Sequence, residues 1–276
     1  MILSFLFNRR NAFLVLFVLF SITAFGQNIK ICSWNLKNFG KSKTDDQITF
    51  IANTVRDFDV LAIQEVVAGP GGPQAVARLA DELNRKGEKW EYLISERTSG
   101  DPYSNERYAF IWKSSKLKKL GEAWLEQKYH EEIEREPYFV RFKAGKKTFT
   151  LSSFHAVPKA KQPEKEIKYF KFMPDIYPDD TLIFCGDFNL PQSHSVFTPL
   201  RTMGYVPAMV KQKTSLRQKC INDDCLASEY DNFFFPQSKV KLLKSGIVHF
   251  YSTFADIKDA RKLSDHVPVY MEFTLN

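Results

Sequence analysis

Four short fragments, far apart in the chain, each end an apolar run in acids, amides or a histidine. They are Ser33-Trp34-Asn35, Gln64-Glu65, Cys185-Gly186-Asp187-Phe188-Asn189 and Ser264-Asp265-His266. Side chains of these types are hard oxygen donors, and several gathered in one cleft meet the demands of a divalent cation such as Mg²⁺. Asp187 and Asn189 straddle Phe188, so in an extended segment both point to one side. One can meet a cation or a water while the other grips a phosphate oxygen; the alternative is an Asx turn ended by Pro191. An isolated glutamate such as Glu65 is most often a surface acid, but Gln64 and the apolar run before it favour a cleft. His155 and His266 sit among polar residues at the ends of further apolar runs. Two imidazoles, each oriented by a carboxylate, suit general acid–base chemistry near neutral pH. Glu106 and Asp231 are the candidate orienting acids, and nothing in the sequence says which histidine meets which.

Such residues need rigid strands to carry them. Residues 29–34 and 59–66 read as strands, separated by a capping box at Thr44-Asp45-Asp46-Gln47 with Ile48, Ile51, Ala52 and Val55 at helical spacing. Gly69-Pro70-Gly71-Gly72 makes a loop, and Pro73 opens a helix reaching about Lys86. Segments 90–95, 107–112, 117–124, 138–142 and 148–154 are strand-like. A helix begins at Pro163 and carries Ile167, Phe170 and Met173; strands follow at 181–185 and, at the end, 269–275. Between 192 and 259 only 230–235 and 247–254 read as strands. With no linker and no internal repeat, the pattern is one α/β domain over 27–276, mixed sheets with helices outside.

The N-terminus has a different composition. Arg9 and Arg10 precede an apolar run from Ala12 to Phe25, and Ala24-Phe25-Gly26 offers small residues for cleavage before Gln27. That layout is a secretory signal peptide over 1–26, since the run falls short of the roughly 20 apolar residues of a membrane span. The mature chain is expected to be secreted or periplasmic, a monomer with no stable membrane association. Removing 1–26 takes away two arginines and no acids, so a net charge of +7 becomes +5. That favours polyanions without requiring one. With 44% hydrophobic residues and 25 Phe, disorder is excluded as the main state. Cys32 and Cys185 lie in apolar strands as packed thiols, whereas Cys220 and Cys225 bracket a polar loop and are expected to form a local disulfide after export. No second Cys or His pair at ligand spacing supports zinc.

Taken in order, the motifs resemble the endonuclease/exonuclease/phosphatase superfamily, and within it the deoxyribonuclease I family. They are Asn35-Leu36-Lys37-Asn38-Phe39-Gly40, Gln64-Glu65-Val66, Glu106-Arg107-Tyr108, Arg135-Glu136-Pro137, His155, Gly186-Asp187-Phe188-Asn189, Tyr230-Asp231 and Ser264-Asp265-His266-Val267-Pro268. The resemblance implies a four-layered α/β sandwich, two mixed sheets face to face with helices outside. It implies metal-dependent hydrolysis of DNA phosphodiesters leaving 5′-phosphates, with Mg²⁺ or Mn²⁺ as cofactor and a structural Ca²⁺ as a further option. By position, Glu65 would be the main metal ligand with Asn35, Asp187 and Asp265 nearby. Glu106 would orient His155, and Asp231 would orient His266, the two imidazoles flanking the scissile phosphate. Asn189 would hold a phosphate oxygen, Arg135 and Lys37 the backbone, and Tyr108 would lie along the groove.

The chain departs from that pattern at Lys37, Val67 and Asn232, where the deoxyribonuclease branch typically has arginines. Lysine lacks the planar fork of arginine, so groove reading should be thinned and sequence preference weak. Lys37, Lys41, Lys43 and Arg135 are the expected basic rim of the cleft. A rival with the same fold would act on a lipid head group or small phosphate ester; a lipid-active version would need an exposed aromatic hairpin, and Phe233-Phe234-Phe235 reads instead as a core strand. A non-catalytic binding protein is a second rival, against which the full acid and histidine set stands.

Overall fold

A computed structural model describes residues 27–101 and 105–276; the expected leader at 1–26 lies outside the described residues. In chain order the first half gives β1 (Ile29–Phe39), α1 (Asp45–Val55), β2 (Val60–Val67), α2 (Gly71–Asn84), β3 (Trp90–Ile94), β4 (Glu106–Lys113), β5 (Lys118–Leu125), β6 (Tyr138–Ala144) and β7 (Lys147–His155). Short helices α3 (Glu164–Ile167) and α4 (Met173–Ile176) lead to β8 (Leu182–Asp187), α5 (Thr198–Thr202) and β9 (Tyr205–Pro207). The chain ends with β10 (Leu216–Ile221), β11 (Asp224–Leu226), β12 (Asp231–Pro236), β13 (Val240–Ile247), α6 (Ile257–Leu263) and β14 (Val269–Leu275).

One six-stranded sheet has the order β13-β14-β1-β2-β4-β3, and a second has β5-β6-β7-β8-β12-β9. Each is mixed: β1–β2 and β7–β8 pair in parallel, their other neighbours antiparallel. The two-residue period of the strands sorts the side chains into layers. Ile31, Ala62 and Phe110 of the first sheet meet Val140, Leu151, Ile183 and Phe233 of the second in one core between them. The opposite face of the first sheet, with Cys32, Trp34 and Ile63, buries the apolar stripe of α1 and α2. Phe154, Phe184 and Phe234 on the far side of the second sheet cover Ile167, Phe170 and Met173. Each such side chain contributes about 1.5–3 kcal/mol on burial. The result is the expected four-layered sandwich. Among the described residues no helix is long and apolar enough to cross a membrane.

At one end of the sandwich the inward-facing residues turn polar. Beyond Ile31, Ala62 and Leu151 come Ser33, Gln64 and Ser153, all buried. Gln64 Nε2 donates to Ser153 Oγ at 2.7 Å and to Ser33 Oγ at 3.1 Å, tying the two sheets together. One step further along the same strands stand Asn35 and His155.

The capping box of α1 forms as expected: Thr44 Oγ1 accepts from Gln47 N, and Gln47 Oε1 from Thr44 N. Cys220 and Cys225 are bonded, closing the β10–β11 hairpin, and Cys32 and Cys185 are buried free thiols. Two expected elements differ. The helix from Pro163 breaks into α3, a 3₁₀ turn at Phe170–Phe172 and α4, because Pro174 cannot continue a helical hydrogen-bond ladder. The strand expected at 247–254 is β13 ending at Ile247, followed by a 3₁₀ turn over Phe250–Thr253. The chain leaves the sheet there, and Phe250 packs at a tilt against Trp34 and edge-on against Phe50 over the helical face.

Gly186 has φ +133°, and a Cβ at this position would lie 1.9 Å from the Phe154 carbonyl oxygen on the neighbouring strand. Gly186→Ala is expected to lose about 3 kcal/mol or more in urea unfolding, from backbone strain plus the clash. A wild-type midpoint and slope would refute the tight β7–β8 approach on which the site's geometry depends.

Candidate active site

Strand register assembles the site. His155 on β7 lies beside Asp187 on β8, and Asp231 on β12 lies beside Asp187 from the other side. Three chemically active residues thus form one row across the end of the second sheet. Asp187 is buried at 1% exposure and its Oδ2 is the meeting point. Asn35 Nδ2 donates to it at 3.2 Å, and Nε2 of both His155 and His266 stand 3.5 Å away. Asp187 Oδ1 accepts from Asn189 N at 2.9 Å. The Asx turn and the site role, alternatives on sequence, therefore use different oxygens of one carboxylate. Burial opposes the charge of Asp187, but His266 and His155 outweigh it and its pKa is lowered.

Each histidine is held by its own acid. His155 Nδ1 lies 2.9 Å from Glu106 Oε2, which also accepts from Arg135 Nη1 at 3.1 Å. Glu106 Oε1 accepts from Glu65 N at 3.1 Å, linking this dyad to the end of β2. Burial works against charge on His155, yet Glu106 outweighs it and its pKa is raised. His266 Nδ1 lies 2.7 Å from Asp231 Oδ2, and Thr214 Oγ1 donates to the same oxygen at 2.7 Å. Despite burial, Asp231 and Asp187 together push the His266 imidazolium up to about 10. The loop carrying His266 is pinned to β1: Trp34 Nε1 donates to His266 O at 2.8 Å, and Ser264 Oγ donates to Asn35 O while accepting from His266 N.

These groups face a cavity of about 520 Å³ that Glu65, Asp187, Asn189, Asp265 and both histidines line. Glu65 accepts from Asn35 Nδ2 at 2.9 Å and from Asn38 N at 2.9 Å, both neutral donors. Among the described residues no cationic side chain forms an ion pair with it, so its carboxylate faces the cavity without a cationic partner. That is a fitting anchor for a hard cation. Asp187, Asp231 and His266 also bring ligand atoms within 4.8 Å of one another. The Asp231–His266 hydrogen bond and the imidazolium charge make that trio the poorer cage. Asp265 lies on the wall, but Lys37 and Arg261 each reach its Oδ2 at 3.2 Å.

Several expected placements need correction. Tyr108 does not line the groove; it is fully buried two residues inward of Glu106 on β4, accepting from His155 N and donating to Arg135 O. Arg135 lines the cavity but is largely buried there, pairing with Glu106 and donating to the Ala156 carbonyl. Asn35 turns its amide nitrogen toward Glu65 and Asp187 and its oxygen toward Lys37 N, which makes it a bridge between acids. Asn189 lines the cavity, with Nδ2 donating to Ala156 O at 3.0 Å. Lys37 is 38% exposed and beside the cleft. Lys43 is buried; its Nζ donates to the Leu263 and Lys262 carbonyls that end α6, and burial pulls its pKa down to about 8. Thr214 escapes sequence reasoning altogether, since a single threonine in an irregular segment carries no signal.

A sequence model described as "Endonuclease/Exonuclease/phosphatase family" matches residues 32–266. A protein named deoxyribonuclease from Thioalkalivibrio is 27% identical over 289 residues, covering 97% of this chain and 77% of its own. Deoxyribonuclease gamma of Rattus norvegicus is 27% identical over 295 residues, covering 96% of this chain and 90% of its own. Among solved structures, an endonuclease/exonuclease/phosphatase family protein from Bacteroides thetaiotaomicron superposes with a TM-score of 0.63 at 15% identity, over 91% of this chain and 99% of that one.

The His266 environment yields a pH prediction for EDTA-treated protein. Its folded pKa, about 10, lies above the ordinary value near 6.5 of an unfolded histidine. The stabilisation is therefore complete below about pH 6.5 and lost as pH rises through about 10. Unfolding free energy should fall across that window, and Asp231→Asn should flatten the fall while moving the His266 NMR titration midpoint down. A wild-type midpoint near 6.5 would show that the dyad does not hold the proton.

Proposed function

Because the chain belongs to the endonuclease/exonuclease/phosphatase family and is a phosphodiester hydrolase, we propose that it is a metal-dependent deoxyribonuclease. On this reading it cuts DNA internally with little sequence preference and leaves 5′-phosphates. It works as a monomer outside the cytoplasm after removal of residues 1–26. The observation that carries the reading is the convergence of two carboxylate–histidine dyads on one oxygen of Asp187, beside the uncompensated carboxylate of Glu65. Relatives named deoxyribonuclease support DNA as the substrate.

Glu65 would hold Mg²⁺ or Mn²⁺, with Asp187 and Asp265 on the same cavity wall. The cation, when bound, supplies positive charge for the phosphate oxygens. The chain's own residues do the proton work. One Nε2 takes the proton of the attacking water while the other returns a proton to the leaving oxygen, each imidazole steadied through Nδ1 by its acid. Asn189, at the same cavity, gives one amide hydrogen to Ala156 O and has a second to donate to a phosphate oxygen. Arg135, on the cavity wall, fixes Glu106, and Tyr108 acts from behind by bridging Arg135 and His155. Phe233, Phe234 and Phe235 are buried core residues, which leaves the lipid-active rival without its aromatic hairpin.

Plasmid nicking tests the reading. EDTA should abolish it and Mg²⁺ or Mn²⁺ should restore it. His155→Ala and His266→Ala should each lose about 10²–10⁴-fold in rate with folding retained. Full activity after exhaustive chelation would remove the metal, near-normal turnover in either variant would remove that histidine, and faster turnover of a small phosphomonoester than of DNA would remove the substrate.

A further inference from the structure

Next to the catalytic cavity lies a second one, of about 400 Å³, whose wall carries five cations and no acid. Lys37 comes from the end of β1 and Lys43 from the β1–α1 connection, Lys258, Arg261 and Lys262 from α6, and Gln218 from the disulfide-closed hairpin. The two cavities share Asn38 as a wall. They also share the Asp265 carboxylate electrostatically: it faces the catalytic cavity, while its partners Lys37 and Arg261 line the basic one.

Local ion pairing leaves the pocket strongly positive. Lys37 and Arg261 both direct their charge to the single carboxylate of Asp265, and Lys262 pairs with the exposed Asp259. Lys43 meets only carbonyls and Lys258 pairs with no carboxylate among the described residues. Five cations thus face two paired acids and, across from Lys43, the carboxylate of Glu65, all three outside the pocket lining. Exposed like charges repel at this spacing, so such a cluster favours a bound anion.

We propose that this pocket is a second phosphate subsite, which holds a backbone phosphate of the polynucleotide strand flanking the one being cut. The inference rests on the nuclease reading above and adds the contact surface to it. Lys258 and Lys262, on the exposed side of α6, contact the phosphate; Lys43 acts as a positioning residue by fixing the end of α6. The hairpin contributes Gln218 as a neutral donor, so its disulfide restrains one wall of the subsite. Contacts of this kind carry no base information and lose strength as salt competes.

The test is equilibrium binding of the full protein to a fluorescent DNA duplex in EDTA, where cleavage is suppressed, across an NaCl series. K258A/K262A should weaken binding at least about fivefold at low salt, and shallow the log–log salt slope by about 0.9 for each phosphate no longer engaged. The comparison is K118A/K146A, which removes the same charge from β5 and the β6–β7 turn. Lys146 there adjoins the start of β7, at the opposite end of that strand from His155. This pair should leave affinity and slope at wild-type values. Equal affinity and slope in K258A/K262A and wild type would overturn the subsite while leaving the nuclease reading intact, as would an equal loss in both double variants, which would mean diffuse charge only. A wild-type protein with no salt-dependent DNA binding would overturn both.

Discussion

The carboxylate of Asp187 is the constraint around which the rest is built. A buried carboxylate is costly unless its lone pairs are occupied and its charge is answered. Here the answer comes from both sheets: Asn35 from the first, His155 and the Asn189 amide from the second, and His266 from the loop after α6. Each donor then needs support of its own. His155 requires Glu106, which requires Arg135; His266 requires Asp231, which requires Thr214. Buried polar networks of this kind are stable only when every member is satisfied. That is a physical reason for two sheets held face to face, because neither alone supplies all the partners.

The backbone bends where the network forms. Lys37, Asn38, Glu65 and Asn189 all have positive φ, and Gly186 has φ +133°. Pairing between β1 and β2 slips between Asn35 and Phe39, and between β2 and β4 it slips between Ile63 and Val66. A regular strand would send Gln64 and Glu65 to opposite faces. The irregularity instead lets Gln64 stay in the inter-sheet seam while Glu65 turns into the cavity. Conformations of this kind cost about 1–3 kcal/mol each and persist where the surroundings over-determine them. The Glu106 bond to Glu65 N and the Asn38 bond to Glu65 Oε2 are such determinants.

Much of this is legible in the sequence because strands write their faces into it with period two. The apolar runs ending at Asn35, His155 and Asp187 sit where alternation and turn residues put them, and mixed sheets with helices outside follow from the order of elements, while the four-layered sandwich is implied by the family resemblance. Tyr108 departs from its expected place in the groove although the same period contains the answer: Glu106, Tyr108 and Phe110 share a face, so the tyrosine must lie deeper than the glutamate. Arg135 and Thr214 are opaque for another reason. Both lie outside the strands, in segments whose course is set by tertiary contacts, and only the fold brings Thr214 under Asp231 or Arg135 against Glu106. The end of β13 is similar, since the demand that Phe250 cover Trp34 is not visible locally.

The electrostatics of the two cavities resolve a difficulty that a metal-binding nuclease faces. Carboxylates suited to a cation repel the polyanion it must attack. In this chain the acids are graded. Asp187 is held between two histidines whose pKa values are raised, and Asp265 is neutralised from the adjoining pocket by Lys37 and Arg261. Glu65, at the cavity wall, is hydrogen-bonded by neutral donors, and no cationic side chain among the described residues forms an ion pair with it. The negative charge available to a cation is thereby concentrated on one residue, while the surface just beyond Asn38 is positive. A strand approaching the cleft meets that positive wall first. On the proposed reading, attraction of the backbone and anchoring of the metal would fall to separate residues, Lys258 and Lys262 on one side and Glu65 on the other, with Asp265 as the screen between them.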